Sequence, residues 1–122
     1  MPMTSRLRVP SRFHTWIEGS DAAIALDHKG GTDDPTHDPK DYDPDRLSAY
    51  RRIFETPARK DGSRHVADLT VEELDVLTWD AEYFETLSLD NTWDADGRAE
   101  LNAARAMLRA LANVQPAAST IG

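Results

Sequence analysis

Two histidines, His28 and His37, stand in a stretch crowded with the carboxylates Asp27, Asp33, Asp34 and Asp38. Imidazole and carboxylate together are a competent ligand set for zinc, manganese or iron. The spacing does not support one: no metalloprotease or EF-hand pattern is present. Asp41, Asp43 and Asp45 alternate like the start of a calcium loop, but Arg46 stands where the turn glycine is needed and Arg52 where the bidentate glutamate belongs. Around Asp94, Asp96 and Gly97 the same template puts Thr92 at the first ligand and Ala103 at the last. No metal site and no cofactor are expected. Lys29-Gly30-Gly31-Thr32 lacks the spacing of a phosphate-cradling loop, and no hydroxyl sits in a nucleophile elbow. With no cysteine, thiol enzymes, disulfides and thiolate metal sites are excluded. No catalytic residue is expected, and the chain reads as a non-enzyme.

Two other groups of residues are left. Arg6, Arg8 and Arg12 make the first dozen residues purely basic, and Arg59, Lys60, Arg64 and His65 form a second cluster with Asp61 inside it. Basic arms can track phosphate or enter a minor groove. Against that stands a formal net charge of −8, which repels polyanions at long range and favours a basic or protein partner. The last group is Val76, Trp79, Tyr83 and Leu87, whose spacing puts them on one helix face. Aromatic stripes are more often core than interface. A short N-terminal β element carrying Phe13, Trp16 and Ile17 is expected to cover it. Otherwise it is a partner surface or a homodimer seam, since interfaces favour Trp and Tyr.

The elements that must position these residues follow from turn and cap chemistry. Arg12 to Glu18 is rich in aromatic and β-branched residues, and Gly19, Ser20 and Asp21 follow before Ala22 to Leu26, which predicts a β-hairpin over 12–26. A short helix over Ala22 to His28, capped by Ser20 or Asp21, is the alternative. From Asp27 to Asp43 the composition shifts to Asp, Gly, Pro, Thr, His and Lys, predicting a long acidic loop that is either a binding element or a solvated linker. Asp43-Pro44 starts a first helix ending at Glu55, before Pro57, with Leu47, Tyr50, Ile53 and Phe54 apolar. Ala58 to His65 reads as a turn. Thr70 and Glu73 make a capping box for a helix from Val71 to Leu87. That helix has one apolar stripe at Leu74, Leu77, Ala81 and Phe84, the aromatic stripe nearly opposite, and Asp75, Glu82 and Glu85 as an acidic strip between them. A third helix, from about Asp94 to Asn113, offers Leu101, Ala104, Leu108 and Leu111 as its seam and Arg98, Arg105 and Arg109 along one flank. A short connection makes these two helices antiparallel and brings the arginines beside the acidic strip. Residues 114–122 read as a tail.

At 122 residues one domain is expected, with one modest core. No apolar run approaches the roughly 20 residues that span a bilayer, so no membrane association is expected. Arg6 and Arg8 are followed by no apolar run, so no cleavable signal is expected and the cytoplasm is the expected compartment. Arginine dominates the cations, with Lys29, Lys40 and Lys60 the only lysines, alanine and aspartate are abundant, and Gln115 is the single glutamine. In that overall look the chain resembles the small accessory proteins of actinobacteriophages. The resemblance rests on no motif and carries over no residue; it implies a protein aimed at a host factor, or a small virion component. The fold expected is α+β with helices dominant: a three-helix core with an antiparallel helical hairpin and a small N-terminal β element. The function expected is a small acidic binding protein acting through protein–protein contacts at Val76, Trp79, Tyr83 and Leu87. A nucleic-acid-associated regulator using Arg6, Arg8 and Arg12 is the alternative, with a metal-dependent hydrolase third.

Overall fold

The structure, a computed structural model, describes residues 5–28 and 39–117. The middle of the acidic stretch, with His37, Asp33, Asp34 and Asp38, lies outside the described residues. The elements run β1 (Arg6–Val9), α1 (Ser11–Glu18), α2 (Asp21–His28), a single 3-10 turn (Pro39–Asp41), α3 (Pro44–Glu55), β2 (Arg64–Ala67), α4 (Val71–Leu89) and α5 (Ala95–Asn113). Helices dominate, and β1 pairs antiparallel with β2 in a two-stranded sheet. The fold is helix-dominant α+β, as the cap and periodicity signals predict.

The caps behave as local chemistry dictates. Asp43 accepts the Asp45 N–H at 2.9 Å with Pro44 at the first helical position of α3. Thr70 Oγ1 accepts the Glu73 N–H at 3.1 Å while Glu73 Oε1 accepts the Thr70 N–H at 2.8 Å, the reciprocal capping box that opens α4. Asp94 accepts the Gly97 N–H at 2.7 Å to open α5.

The predicted hairpin over 12–26 is not formed; two short helices, α1 and α2, occupy it. Phe13 and Ile17 are four apart, so in a helix both reach the core, where they are fully buried, and this burial outweighs the β-propensity of the segment. Gly19 and Ser20 do not make a hairpin turn: Gly19 caps the end of α1, and Ser20 donates from Oγ to the Ile17 carbonyl (2.6 Å) while accepting the Ala23 N–H (3.2 Å). The alternative helix starting near Asp21 is the one observed. The strands lie elsewhere. β1 is Arg-Leu-Arg-Val, a period-two alternation whose Leu7 and Val9 are fully buried, and β2 takes the end of the stretch read as a turn.

Helices α4 and α5, each about 28 Å long at 1.5 Å per residue, form the central pair. Leu74, Leu77, Ala81 and Phe84 are buried on α4, as expected. On α5 the buried set is Gly97, Leu101, Ala103, Ala104 and Met107, whereas Leu108 and Leu111 are only partly buried, which corrects the expected seam. Helix α5 packs against α1 and β1 as well as α4. Arg105 meets Glu85 across the pair at 3.1 Å, the one member of the arginine flank that pairs with the acidic strip as anticipated. The start of the expected tail is also structured: Val114 is buried and the Ala117 N–H donates to the Leu69 carbonyl at 2.8 Å.

Candidate functional site

Helix α3 reaches α4 through charge. Arg46 grips the carboxylate of Asp80 with Nε (3.1 and 3.2 Å) and Nη2 (2.8 Å), and Tyr50 Oη donates to Asp80 Oδ2 at 2.5 Å. Two turns earlier on α4, Glu73 accepts Arg52 Nε (2.9 and 3.1 Å) and Ser48 Oγ (2.5 Å) in addition to closing the capping box. Both carboxylates are buried, so each depends on these donors for its charge. Burial and the Asp80 charge push the Tyr50 phenol well above its ordinary range, so it remains a donor. Burial pushes the Glu73 carboxyl up, but the hydrogen bonds from Ser48, the Thr70 N–H and Arg52 outweigh it and hold the carboxyl below its ordinary value. Arg46 is raised further, chiefly by its hydrogen bond to Asp80.

This clamp decides what happens to the aromatic stripe. Because α3 docks along the Glu73 and Asp80 flank, it leaves the face bearing Trp79, Tyr83 and Leu87 to solvent, with exposures of 60%, 48% and 40%. Val76 is half-buried at its edge. The expected intramolecular cover is not found: Phe13 packs edge-on against Phe84 (5.9 Å) and Trp16 stacks on Phe84 (4.7 Å, 24°), touching only Tyr83 of the stripe (6.1 Å). Helix α1 lies along α5, and its large side chains fill the core side of α4 instead.

The exposed rings are fixed in place. Trp79 and Tyr83 stack on one another at 5.7 Å and 22°. The guanidinium of Arg46, held by Asp80, lies 5.6 Å over the Trp79 ring, within cation–π range. Tyr83 is backed by Trp16, itself stacked on buried Phe84. Asp75 and Glu82, both exposed, flank the ladder on one side of the 100° wheel. Leu89 and Trp93 are further exposed apolar residues where α4 ends, Trp93 at 77%. The surface is therefore apolar and acid-rimmed, with each ring packed on a neighbouring side chain. Sequence reasoning misses Arg46, Asp80 and Tyr50 as its supports. Their signal is a matched spacing: Arg46 and Tyr50, like Ser48 and Arg52, are four apart on α3, and Glu73 and Asp80 are seven apart on α4.

A second arrangement surrounds His14, which is buried beside Phe54 (5.4 Å, 88°) with Nδ1 3.3 Å from Glu18 Oε1. Arg64 lies close by and donates to the carbonyls of Ile53, Phe54 and Thr56 (3.1 to 3.2 Å), closing the end of α3. His14 Nε2 and Arg64 Nε have no hydrogen-bond partner among the described residues. His14, Glu18, Ala23, Phe54 and Arg64 line a cavity of about 200 Å³. A carboxylate orienting an imidazole is half of a nucleophile-activating set, but that lining contributes no hydroxyl or thiol for it to activate.

Three of the aspartates in these candidate ligand patterns have structural work. Asp43 and Asp94 are caps, and Asp96 pairs with Arg12 at 3.5 Å. Among the described residues no three of His, Cys, Asp and Glu gather where one ion could hold them. Of the basic arm, Arg6 and Arg8 lie on β1, while Arg12 turns away on α1 towards Asp96. No helix among the described residues is long and apolar enough to cross a membrane. No family model, curated protein or solved structure matches this chain.

Proposed function

We propose that this chain is a small acidic binding protein that works without catalysis, by seating a protein partner on the Trp79–Tyr83–Leu87 ladder of α4. One observation carries the reading: a Trp–Tyr stack that is largely exposed and yet clamped from both sides. Exposed apolar rings cost solubility. Rings held rigid lose little entropy when a partner covers them, which is how interface hot spots gain affinity. The partner that fits is an apolar segment with a basic border, its side chains packing between the rings and its cations meeting Asp75 and Glu82. In the phage-accessory setting that the composition suggests, the partner is a host protein.

The test is site-directed photo-crosslinking in the producing cell. A benzophenone amino acid at Leu87 should yield one discrete adduct that disappears when Trp79→Asp is added, whereas the same probe at Arg51 on α3 should not yield it. An adduct pattern identical at both positions, or unchanged by Trp79→Asp, would remove the ladder from consideration. Sedimentation velocity of the purified chain distinguishes a second copy from a foreign partner.

A further inference from the structure

Ser11 and Thr15, like Arg12 and Trp16, are four apart on α1 and so share one side of that helix. With Phe84 of α4 and Glu100 of α5 they line a cavity of about 380 Å³. That is a little above the roughly 300 Å³ at which ligand pockets begin, and it is room for one long side chain. One wall is the half-buried indole of Trp16, backed by its stack on buried Phe84 at 4.7 Å and 24°. The same indole meets Tyr83 at 6.1 Å, so the cavity adjoins the ladder. Its polar groups are unequally committed. Thr15 Oγ1 donates to the Ser11 carbonyl at 3.0 Å, and Arg12 is drawn to Asp96 at 3.5 Å. Glu100, half-buried and four residues beyond Asp96 on α5, has a carboxylate with no hydrogen bond and no ion pair among the described residues.

A carboxylate without a partner, sharing a cavity with an indole face, suits a cation that can lie flat on the ring and fork onto the acid. Guanidinium does both, whereas ammonium is a compact point charge. The molecule already holds one completed arrangement of this kind: the guanidinium of Arg46 lies 5.6 Å over Trp79 and is gripped by Asp80 at 2.8 Å. At Trp16 the indole and the carboxylate belong to this chain, and its own Arg12 is turned to Asp96. We propose that the cavity takes an arginine side chain of the protein partner that lies on the ladder. This rests on the ladder reading above and adds to it the place where the partner is anchored. An acidic side chain would face Glu100, and an apolar one would cover that carboxylate and leave it unpaired, so both are selected against. In a chain of net charge −8, a cationic partner is also the one attracted at long range.

Titration of the full chain with capped single amino acids, followed by NMR at the Trp16 indole N–H, tests it. That resonance is the one Trp16→Phe removes. N-acetyl-arginine methylamide should shift it saturably in the millimolar range. The capped lysine should bind more weakly, and capped citrulline, which keeps the shape of arginine without its charge, should leave the resonance in place. Glu100→Gln should weaken arginine binding roughly tenfold, the scale of a charge-assisted hydrogen bond. Glu55→Gln removes the same charge from an exposed position on α3 and should bind as the parent does. The proposal is overturned if citrulline shifts the resonance as arginine does, if lysine binds more tightly, or if the two glutamate variants behave alike. It is also overturned if no capped amino acid shifts the Trp16 resonance saturably. The citrulline comparison uses the parent chain, so it stands whether or not Glu100→Gln alters the fold. The ladder reading is scored by the Leu87 adduct and its loss with Trp79→Asp, which none of these results changes, so the two failures are told apart.

Discussion

Asp80 and Arg46 differ in what each leaves behind when its partner is removed. Asp80 is buried, and Arg46 keeps a quarter of its side chain in solvent. Arg46→Ala therefore strands a buried carboxylate and should cost about 3 to 5 kcal/mol. Asp80→Asn keeps an acceptor for Tyr50 and lets Arg46 reach water, and should cost less, about 1 to 3 kcal/mol. Denaturant midpoints at pH 7 read both, and equal losses would contradict this asymmetry. Arg46→Ala should also loosen Trp79, visible as a faster decay of its fluorescence anisotropy. His14 supplies a pH dependence of the opposite chemical type. Burial and the Arg64 charge hold its imidazole below the ordinary 6.5, with Glu18 opposing. A group that protonates less readily folded than unfolded contributes stability that is complete above 6.5 and is lost as pH falls through the lowered folded value. The melting temperature should drop on acidification below 6.5, and His14→Phe should flatten part of that drop, leaving what His65 contributes in the same sense.

Helix ends and seams decide the next scale. Gly97 sits in the first turn of α5, where alanine would normally stabilise a helix by up to about 1 kcal/mol. Here a Cβ would fall 1.6 Å from the Asn91 carbonyl oxygen, which is backbone and cannot rotate aside. Gly97→Ala should destabilise by about 1 to 3 kcal/mol or more as the α4–α5 turn is forced open. A neutral or stabilised Gly97→Ala protein would mean the turn is not held as described. Along the α4–α5 pair, Leu77 is fully buried while Leu108 is only partly so. Leu77→Ala should cost about 2 to 5 kcal/mol, the usual range for a buried leucine, and Leu108→Ala clearly less. The order of the two midpoints checks that the Leu108 end of the seam is less buried than Leu77.

At the scale of the molecule, the N-terminal strand is part of the core. Leu7 and Val9 are fully buried, and β1 is the partner of β2 in the sheet. Deleting residues 1–9 should strand Val66 without cover, expose Phe13 and Met107, and yield a protein that associates or fails to melt cooperatively, by circular dichroism and light scattering. Trp79→Asp probes the opposite case. At a site this exposed it should keep the parent's melting temperature to within about 0.5 kcal/mol of stability. Had α1 covered the ladder as the sequence suggests, the same change would bury a charge and cost several kcal/mol.

What the sequence determined by itself was the local part of this structure. Asp43-Pro44, Thr70 with Glu73, and Asp94 set three helix starts because caps are contacts within one turn, readable over four residues. The burial of Leu74, Leu77, Ala81 and Phe84 followed from periodicity, and so did the single face shared by Trp79, Tyr83 and Leu87. The tertiary structure decided everything that depended on which face met which. Phe13 and Ile17 became helical because the core accepted both, and Arg-Leu-Arg-Val became a strand only because Arg64–Ala67 lay beside it. Whether the aromatic ladder was covered turned on Glu73 and Asp80, seven residues apart on α4, which drew α3 to their flank. The cavity shared by Trp16 and Glu100 likewise arose from residues far apart in the chain. Such contacts carry no local signal, since a charged residue has the same propensity whether its partner lies beside it or on another element.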